Sequence, residues 1–494
     1  MPTPRKILHT VAVLAILSGI LGACSPANPT SQIAIPPTDY STPTSPAPTL
    51  TAEPTRPLYT PGELVDYIVQ SGDTLPGLAG RFNTSVQKIR ISNPIIPDSA
   101  TTLPPGMPMK IPIYYRPFWG STFQILPDGL FPNGPAEVGF DPVAFVNAQP
   151  GWLKDFTTYM GNQNRSGGEM VEYVAENFSI SPRLLLALIE FKTRALTTPE
   201  MPDDLDRYPL GYVDVSHPGL ALQLIWAANT LNNGFYGWRL GSLTGFDLPD
   251  SRIENIDPWQ NAATAALRYL FSFTETPATF ALAGSSQGFQ AVYTRLFGDP
   301  WSLSAPVIPG SLAQPEMRLP FPAGTAWTYT GGPHTGWGDG EPLAAIDFAP
   351  PAVVGGCTPT DLYATAVADG VIARVGPAVV VLDLDRDGDE RTGWVVFYLH
   401  LAEDGKAPLG RSVKAGDPLG HPSCEGGNAT GTHVHIARKY NGEWVPADSA
   451  LPFTLEGWQV RKGAAEYLGT LVKYGQVVTA CTCSNLASQV RSNP

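Results

Sequence analysis

The sequence predicts a multidomain α+β protein: a small βααβ module, a mostly helical middle domain, and a C-terminal domain built on an antiparallel β-sheet. Three observations predict it. The chain has 494 residues, too many for one core at about 150 residues per domain. Apolar residues recur at helical spacing between about Phe140 and Pro300, whereas alternation marks Trp394 to Leu401 and an apparent strand, Thr432 to Ala437. Finally, 49 Gly and 51 Pro make up roughly a fifth of the chain, enough to separate folded parts by long loops. No glycine period of three is present, which excludes collagen. Only 15% of residues are charged, against about 25% usually, so surface polarity falls to Ser, Thr, Asn and Gln, as in secreted proteins. With 31 basic and 44 acidic residues the net charge is −13, which disfavours nucleic acid or an anionic membrane surface as partner.

At the N-terminus, Arg5 and Lys6 precede an apolar run from Ile7 to Ile20 that ends in Leu21, Gly22, Ala23 and Cys24. A positive start, a short apolar stretch and small residues before a cysteine resemble a bacterial lipoprotein signal. The resemblance implies removal of residues 1–23, lipidation of Cys24, and a lipid-anchored place in the cell envelope outside the cytoplasm. The run is short for a membrane-spanning helix of about 20 residues. Residues 24–62 are rich in Pro, Thr and Ser, cannot build a core, and read as a tether.

The first folded module, 63–114, has Tyr67 and Val69 alternating as in a strand. Leu75, Leu78, Ala79 and Phe82 follow at helical spacing behind the candidate caps Asp73 and Thr74. Then come Ile89, Asn93-Pro94, Leu103, Gly106 and Lys110-Ile-Pro112. This pattern resembles the LysM module, a βααβ domain, which implies binding to N-acetylglucosamine-containing glycans such as peptidoglycan. Pro76 falls in the first helical turn, where it is tolerated.

In the middle domain, 135–300, helices are expected over Met170 to Phe178, Ser181 to Thr193, His217 to Asn232 and Asn261 to Phe273. Ser181-Pro182 is a good helix start. The stretch Phe178 to Glu190, with Gly219 to Gln223 later, resembles the lytic transglycosylase arm of the lysozyme-like fold, which implies Glu190 as a general acid. Phe191 stands where that family has Ser, and a solvated glutamate at a helix end is the competing reading. The domain is then a lysozyme-like spacer or glycan binder.

The last domain, 315–462, holds the chemistry. Five of the seven histidines lie between 334 and 435. His334 follows Gly331-Gly-Pro, with Asp347 thirteen residues later; His400 ends the alternating strand; His433 and His435 follow a glycine-rich turn. Two residues apart on a strand, His433 and His435 share a face. Imidazoles with one carboxylate suit Zn²⁺, and three protein ligands leave a fourth position for water, as in catalytic sites. These motifs resemble the lysostaphin-type zinc endopeptidases of the beta-lytic branch, over about Met317 to Trp458. The resemblance implies Zn²⁺ ligation by His334, Asp347 and His435, with His400 and His433 activating water and steadying the oxyanion. Relatives of the lysostaphin branch place the first His and the Asp only four residues apart. The substrate implied is the peptide part of peptidoglycan, and a monomer is expected. The rival reading is an inactive wall-binding or hydrolase-regulating lipoprotein.

Asp383, Asp385 and Asp387 resemble the start of a calcium loop, so Ca²⁺ is a second candidate cofactor, but Trp394 stands where a twelfth-position Glu belongs. An acidic hairpin tip is the reading preferred. Cys357, Cys424, Cys481 and Cys483 allow three disulfide pairings. His421 matches no motif and reads as a surface histidine, and residues 463–494 read as an extension.

Overall fold

The structure is a computed structural model that describes residues 57–114, 119–203, 207–248, 250–303, 308–352, 354–483 and 485–494. The chain divides into two compact units, Met1–Thr51 and Ala52–Pro494, and every described residue belongs to the second. The signal segment and Cys24 lie outside the described residues, as does most of the tether. Among the described residues no helix is long and apolar enough to cross a membrane.

The first module is strand, helix, helix, strand: Glu63–Ile68, Leu75–Arg81, Val86–Ser92 and Pro108–Ile113. The two strands pair antiparallel from Glu63 opposite Ile113 to Ile68 opposite Pro108. Tyr67, Leu78, Phe82, Ile89 and Ile111 close its core. Thr74 caps the first helix by accepting from the Gly77 amide at 3.2 Å, with Pro76 in the first turn. Asp73, the other cap candidate, turns inward instead. It accepts from the Tyr67 hydroxyl at 2.7 Å and pairs with Arg81 at 2.8 Å, a buried charge that is neutralised where it sits.

In the middle segment the four expected helices form over Gly167–Phe178, Pro182–Thr193, Gly219–Leu240 and Ala262–Thr274. Gly167–Phe178 begins with a capping box between Ser166 and Glu169. Gly219–Leu240 runs 22 residues, eight beyond its expected end at Asn232, because Leu231, Phe235 and Trp238 keep the apolar spacing into the core.

The structure gives Glu190 a different place from either expectation. It is 1% exposed, and its carboxylate accepts from the Leu196 amide at 2.8 Å, the Thr197 hydroxyl at 2.7 Å and Arg295 at 3.1 Å. The group fastens the turn after its own helix and is neither solvated nor open to a glycan. Glu190→Ala is expected to lower the unfolding free energy by about 1–3 kcal/mol, since it leaves buried partners unpaired. Urea denaturation at unchanged slope would register this, with cleavage activity unaffected.

The C-terminal domain is organised by a nine-stranded antiparallel sheet among the described residues. Its order runs Ser412–Val413, Gly370–Gly376, Val379–Asp383, Trp394–Leu399, Val434–Tyr440, Ala345–Ala349, Ala326–His334 and Gln489–Arg491, with Glu443–Trp444 hairpinned onto Val434–Tyr440. Residues 463–494 thus supply an outer strand rather than a mere tail. They also complete a small sheet, Thr454–Leu455, Trp458–Lys462, Gly469–Lys473 and Gln476–Thr479.

The strands are apolar on both faces. Val380, Leu382, Val396, Tyr398 and Ile436 enter one core. Their alternating neighbours Val379, Val381, Val395, Phe397 and Ala437 join Trp444 in the same cluster as the helical residues Phe178, Leu231 and Phe235. The period of two therefore sends every second side chain into the helices. Cys357 bonds to Cys424 and Cys481 to Cys483, which selects one of the three pairings.

Candidate metal centre

Strand register assembles the centre. Asp347 lies opposite His435 on one side and Gly331 on the other, while His435 lies opposite Leu399 on its far side. Directly opposed residues share a face, so Asp347, His435 and Leu399 all point toward the helical side of the sheet. Gly331 leaves the space for the carboxylate, since a Cβ there would sit 2.3 Å from Asp347 Oδ2. His334 closes its strand beside them. His433 lies just before its strand, which spans Val434–Tyr440 rather than the expected Thr432 to Ala437, yet it faces the same carboxylate. His400 falls one residue past the strand end with φ +64°, an unusual conformation for a side chain and one that re-aims its ring into the site.

Each imidazole is pinned by a backbone carbonyl, and a carbonyl can only accept. Nδ1–H of His334 donates to Gly332 O at 2.8 Å, and Nε2–H of His435 donates to Gly336 O at 3.1 Å. Nδ1–H of His433 donates to Gly431 O at 2.7 Å, and Nδ1–H of His400 to Glu425 O at 2.7 Å. In the neutral ring the other nitrogen is therefore a lone pair turned to the centre, the tautomer pattern of metal ligands.

These lone pairs converge. His334 Nε2 is 2.9 Å from His435 Nδ1, and Asp347 Oδ1 lies 3.3, 3.5 and 3.8 Å from the inward nitrogens of His334, His435 and His433. Asp347 Oδ1 is buried and has no hydrogen-bond donor. Ring nitrogens crowded around a buried carboxylate oxygen call for a positive charge among them, and His334, Asp347 and His435 lie close enough to hold a metal ion. The donor set fits Zn²⁺. Burial alone would raise the Asp347 carboxyl, but facing His334 outweighs it and holds the group well below the usual carboxylate range. Burial, then the neighbouring rings of His433 and His435, push the His400 imidazole down to about 4, so it is neutral at physiological pH.

The centre opens into a cavity of about 1130 Å³ whose walls come from both the sheet and the helical segment, the latter through Tyr173, Phe178, Ile225 and Asn229. Tyr467 also lines it, its ring stacked on His334 at 4.3 Å between centroids. Nothing in the sequence singles out Tyr467, which stands outside every motif. His421, by contrast, sits where expected, at the surface against Tyr363. Asp383, Asp385 and Asp387 do cluster, but the amides of Asp385, Gly388 and Asp387 take up Asp383 and Asp385, as in an acidic hairpin tip. A calcium role finds no support beyond their proximity.

Comparison with known proteins finds two family models and several relatives. Residues 67–112 match the LysM domain family model. Residues 124–309, which span the segment expected from the sequence to be lysozyme-like, match the model described as LasA, N-terminal domain. Protease LasA of Pseudomonas aeruginosa is 25% identical over 362 residues, which are 69% of this chain and 79% of that protein. Beta-lytic metalloendopeptidase of Achromobacter lyticus is 26% identical over 159 residues, 31% of this chain and 39% of that one. The solved structure of a deep-sea metalloprotease, pseudoalterin, aligns at 25% identity over 34% of this chain and 96% of that chain, with a TM-score of 0.29.

Proposed function

From a chain that is a metalloendopeptidase, carrying a LysM domain and a lysostaphin-type peptidase domain, we propose a zinc-dependent hydrolase that cuts the peptide part of peptidoglycan. The LysM module holds the glycan while the peptidase domain works on stems or cross-bridges nearby. Lipidation at Cys24 would tether the enzyme in the envelope, outside the cytoplasm. The observation that carries this reading is Asp347 Oδ1, buried without a hydrogen-bond partner and faced by three imidazole nitrogens.

His334, Asp347 and His435 would hold the zinc, which when bound polarises a carbonyl and acidifies water toward a pKa of about 7. The chain's own residues do the rest. His400 and His433, their rings 4.6 Å apart, present free Nε2 atoms to the cavity. One accepts the proton of the attacking water and returns it to the leaving amine, so no covalent acyl-enzyme is required. Tyr467, stacked on His334 at the cavity wall, would donate a hydrogen bond from its hydroxyl to the substrate carbonyl as negative charge grows there. The Cys357–Cys424 bridge ties together two of the loops lining the cavity, which limits how far that wall can open.

The test is incubation of the full zinc-loaded chain with purified peptidoglycan and mass spectrometry of the soluble fragments, with His435→Ala alongside. New peptide termini made only by the unmutated chain are expected and would identify the bond. Binding to the wall with bound zinc and no new termini would replace hydrolysis with the regulatory reading.

A further inference from the structure

The segment from His334 to Asp347 contains a loop that does not pack on its own sheet alone. It lies along the helix Gly219–Leu240, which presents Asn229 and Asn233 one turn apart. Asn229 Oδ1 accepts from the Asp339 amide at 2.9 Å, and Asn233 Oδ1 accepts from the Glu341 amide at 2.8 Å. Asn233 Nδ2 also donates to Asp339 O at 3.3 Å and to Asn229 O at 2.9 Å. A helical spacing of four thus meets a loop spacing of two.

The loop is shaped for this contact. Gly338 and Gly340, each just before a clamped amide, both have φ +84°. A Cβ would sit 2.2 Å from Asn229 Oδ1 at Gly338 and 2.3 Å from Asn233 Oδ1 at Gly340. Two residues upstream of Gly338, the Gly336 carbonyl accepts from Nε2–H of His435, the bond that leaves Nδ1 facing the centre. Gly336 is held from behind by the Trp444 ring, whose indole N–H donates to Phe178 O in the helical segment.

We propose that Asn229 and Asn233 are positioning residues for the metal: by fixing the loop that carries Gly336 O, they set the tautomer and aim of His435. The helical segment is then part of the metal site. This rests on the reading that His435 is a metal ligand. Partners of this kind are worth about 10- to 100-fold in metal affinity.

The experiment uses the full chain and measures zinc affinity by competition with a chromophoric chelator. Asn229→Ala with Asn233→Ala is expected to weaken zinc binding by about 10- to 100-fold and to lower kcat with KM little changed. Asn229→Asp, with Asn233 left in place, keeps both acceptors and the Asn233 donor and is expected to retain most of the affinity, which a general loosening of the fold would not. Gly340→Ala, which pushes the loop off Asn233 without altering the helix, serves if the double variant does not fold, and is expected to weaken zinc binding likewise. Zinc affinity within twofold of the unmutated chain in a folded double-alanine variant, or in Gly340→Ala, overturns the proposal. His435→Ala separates the two levels: zinc lost there but kept in the asparagine variants overturns the positioning role alone, and zinc kept in His435→Ala overturns the ligand reading beneath it.

Discussion

Asp347→Ala in the full chain is expected to abolish zinc binding and to reduce peptidoglycan cleavage by more than about 100-fold, beyond the range reached by losing a mere supporting partner. The reason is charge. The two imidazole ligands, His334 and His435, bring no charge to a metal, and Asp347 brings the only carboxylate among the grouped ligands. Without it a divalent cation would have to be desolvated in a buried site against no formal charge at all. Thermal unfolding gives a second readout, because a ligand that binds only the folded state stabilises it by mass action. At a thousandfold excess of free zinc over Kd that is about 4 kcal/mol. The unmutated chain should gain this on adding zinc and lose it with a chelator, while Asp347→Ala should melt at one temperature in both. A zinc-dependent rise in the variant would move the metal elsewhere.

A fragment from Met317 to Pro494 is expected not to yield a stable, soluble peptidase. Val379, Val381, Val395, Phe397 and Trp444 pack against the helical segment in one continuous cluster, so cutting the chain at 317 uncovers all five. Burial of a large apolar side chain contributes about 1.5–3 kcal/mol, so the five together are worth about 8–15 kcal/mol, as much as the whole stability of a typical domain. Apolar area of that extent on the face of a sheet also invites association. Size-exclusion chromatography and circular dichroism of the fragment would check this. A monomeric fragment with a cooperative melt matching that of the full chain would show that the shared core contributes little. Supplying residues 119–303 as a separate chain should restore solubility.

The parts legible in the sequence are those whose signals are local. His334, Asp347, His400, His433 and His435 each sit in a short motif, and strand register brings those motifs onto one face. The strand expected over Trp394 to Leu401 forms over Trp394–Leu399, and its neighbours in the sheet are as buried as it is. What covered their second face was not legible, because period-two alternation does not say which element arrives from elsewhere. Glu190 misled for a related reason: a carboxylate at the end of an apolar helix reads the same whether it faces a cleft or the next turn, and Thr197 and Arg295 decide the matter from outside the window. Asn229 and Asn233 look like ordinary helix-surface amides. Tyr467 enters the site from the hairpin between Trp458–Lys462 and Gly469–Lys473, which no spacing rule connects to His334.

The order of strands in the main sheet has a consequence for when the protein becomes active. Strand Ala326–His334 is flanked by Gln489–Arg491, and Ala345–Ala349 lies next to Val434–Tyr440, so both early ligands wait for late partners. Loop-closure entropy must be overcome before such distant pairings repay it, which makes folding slow. During synthesis His334 and Asp347 leave the ribosome long before His435, and the metal site has no partial form with three ligands. The grouped ligand set is therefore complete only after nearly the whole length of the chain has been made, and until then the chain is inert.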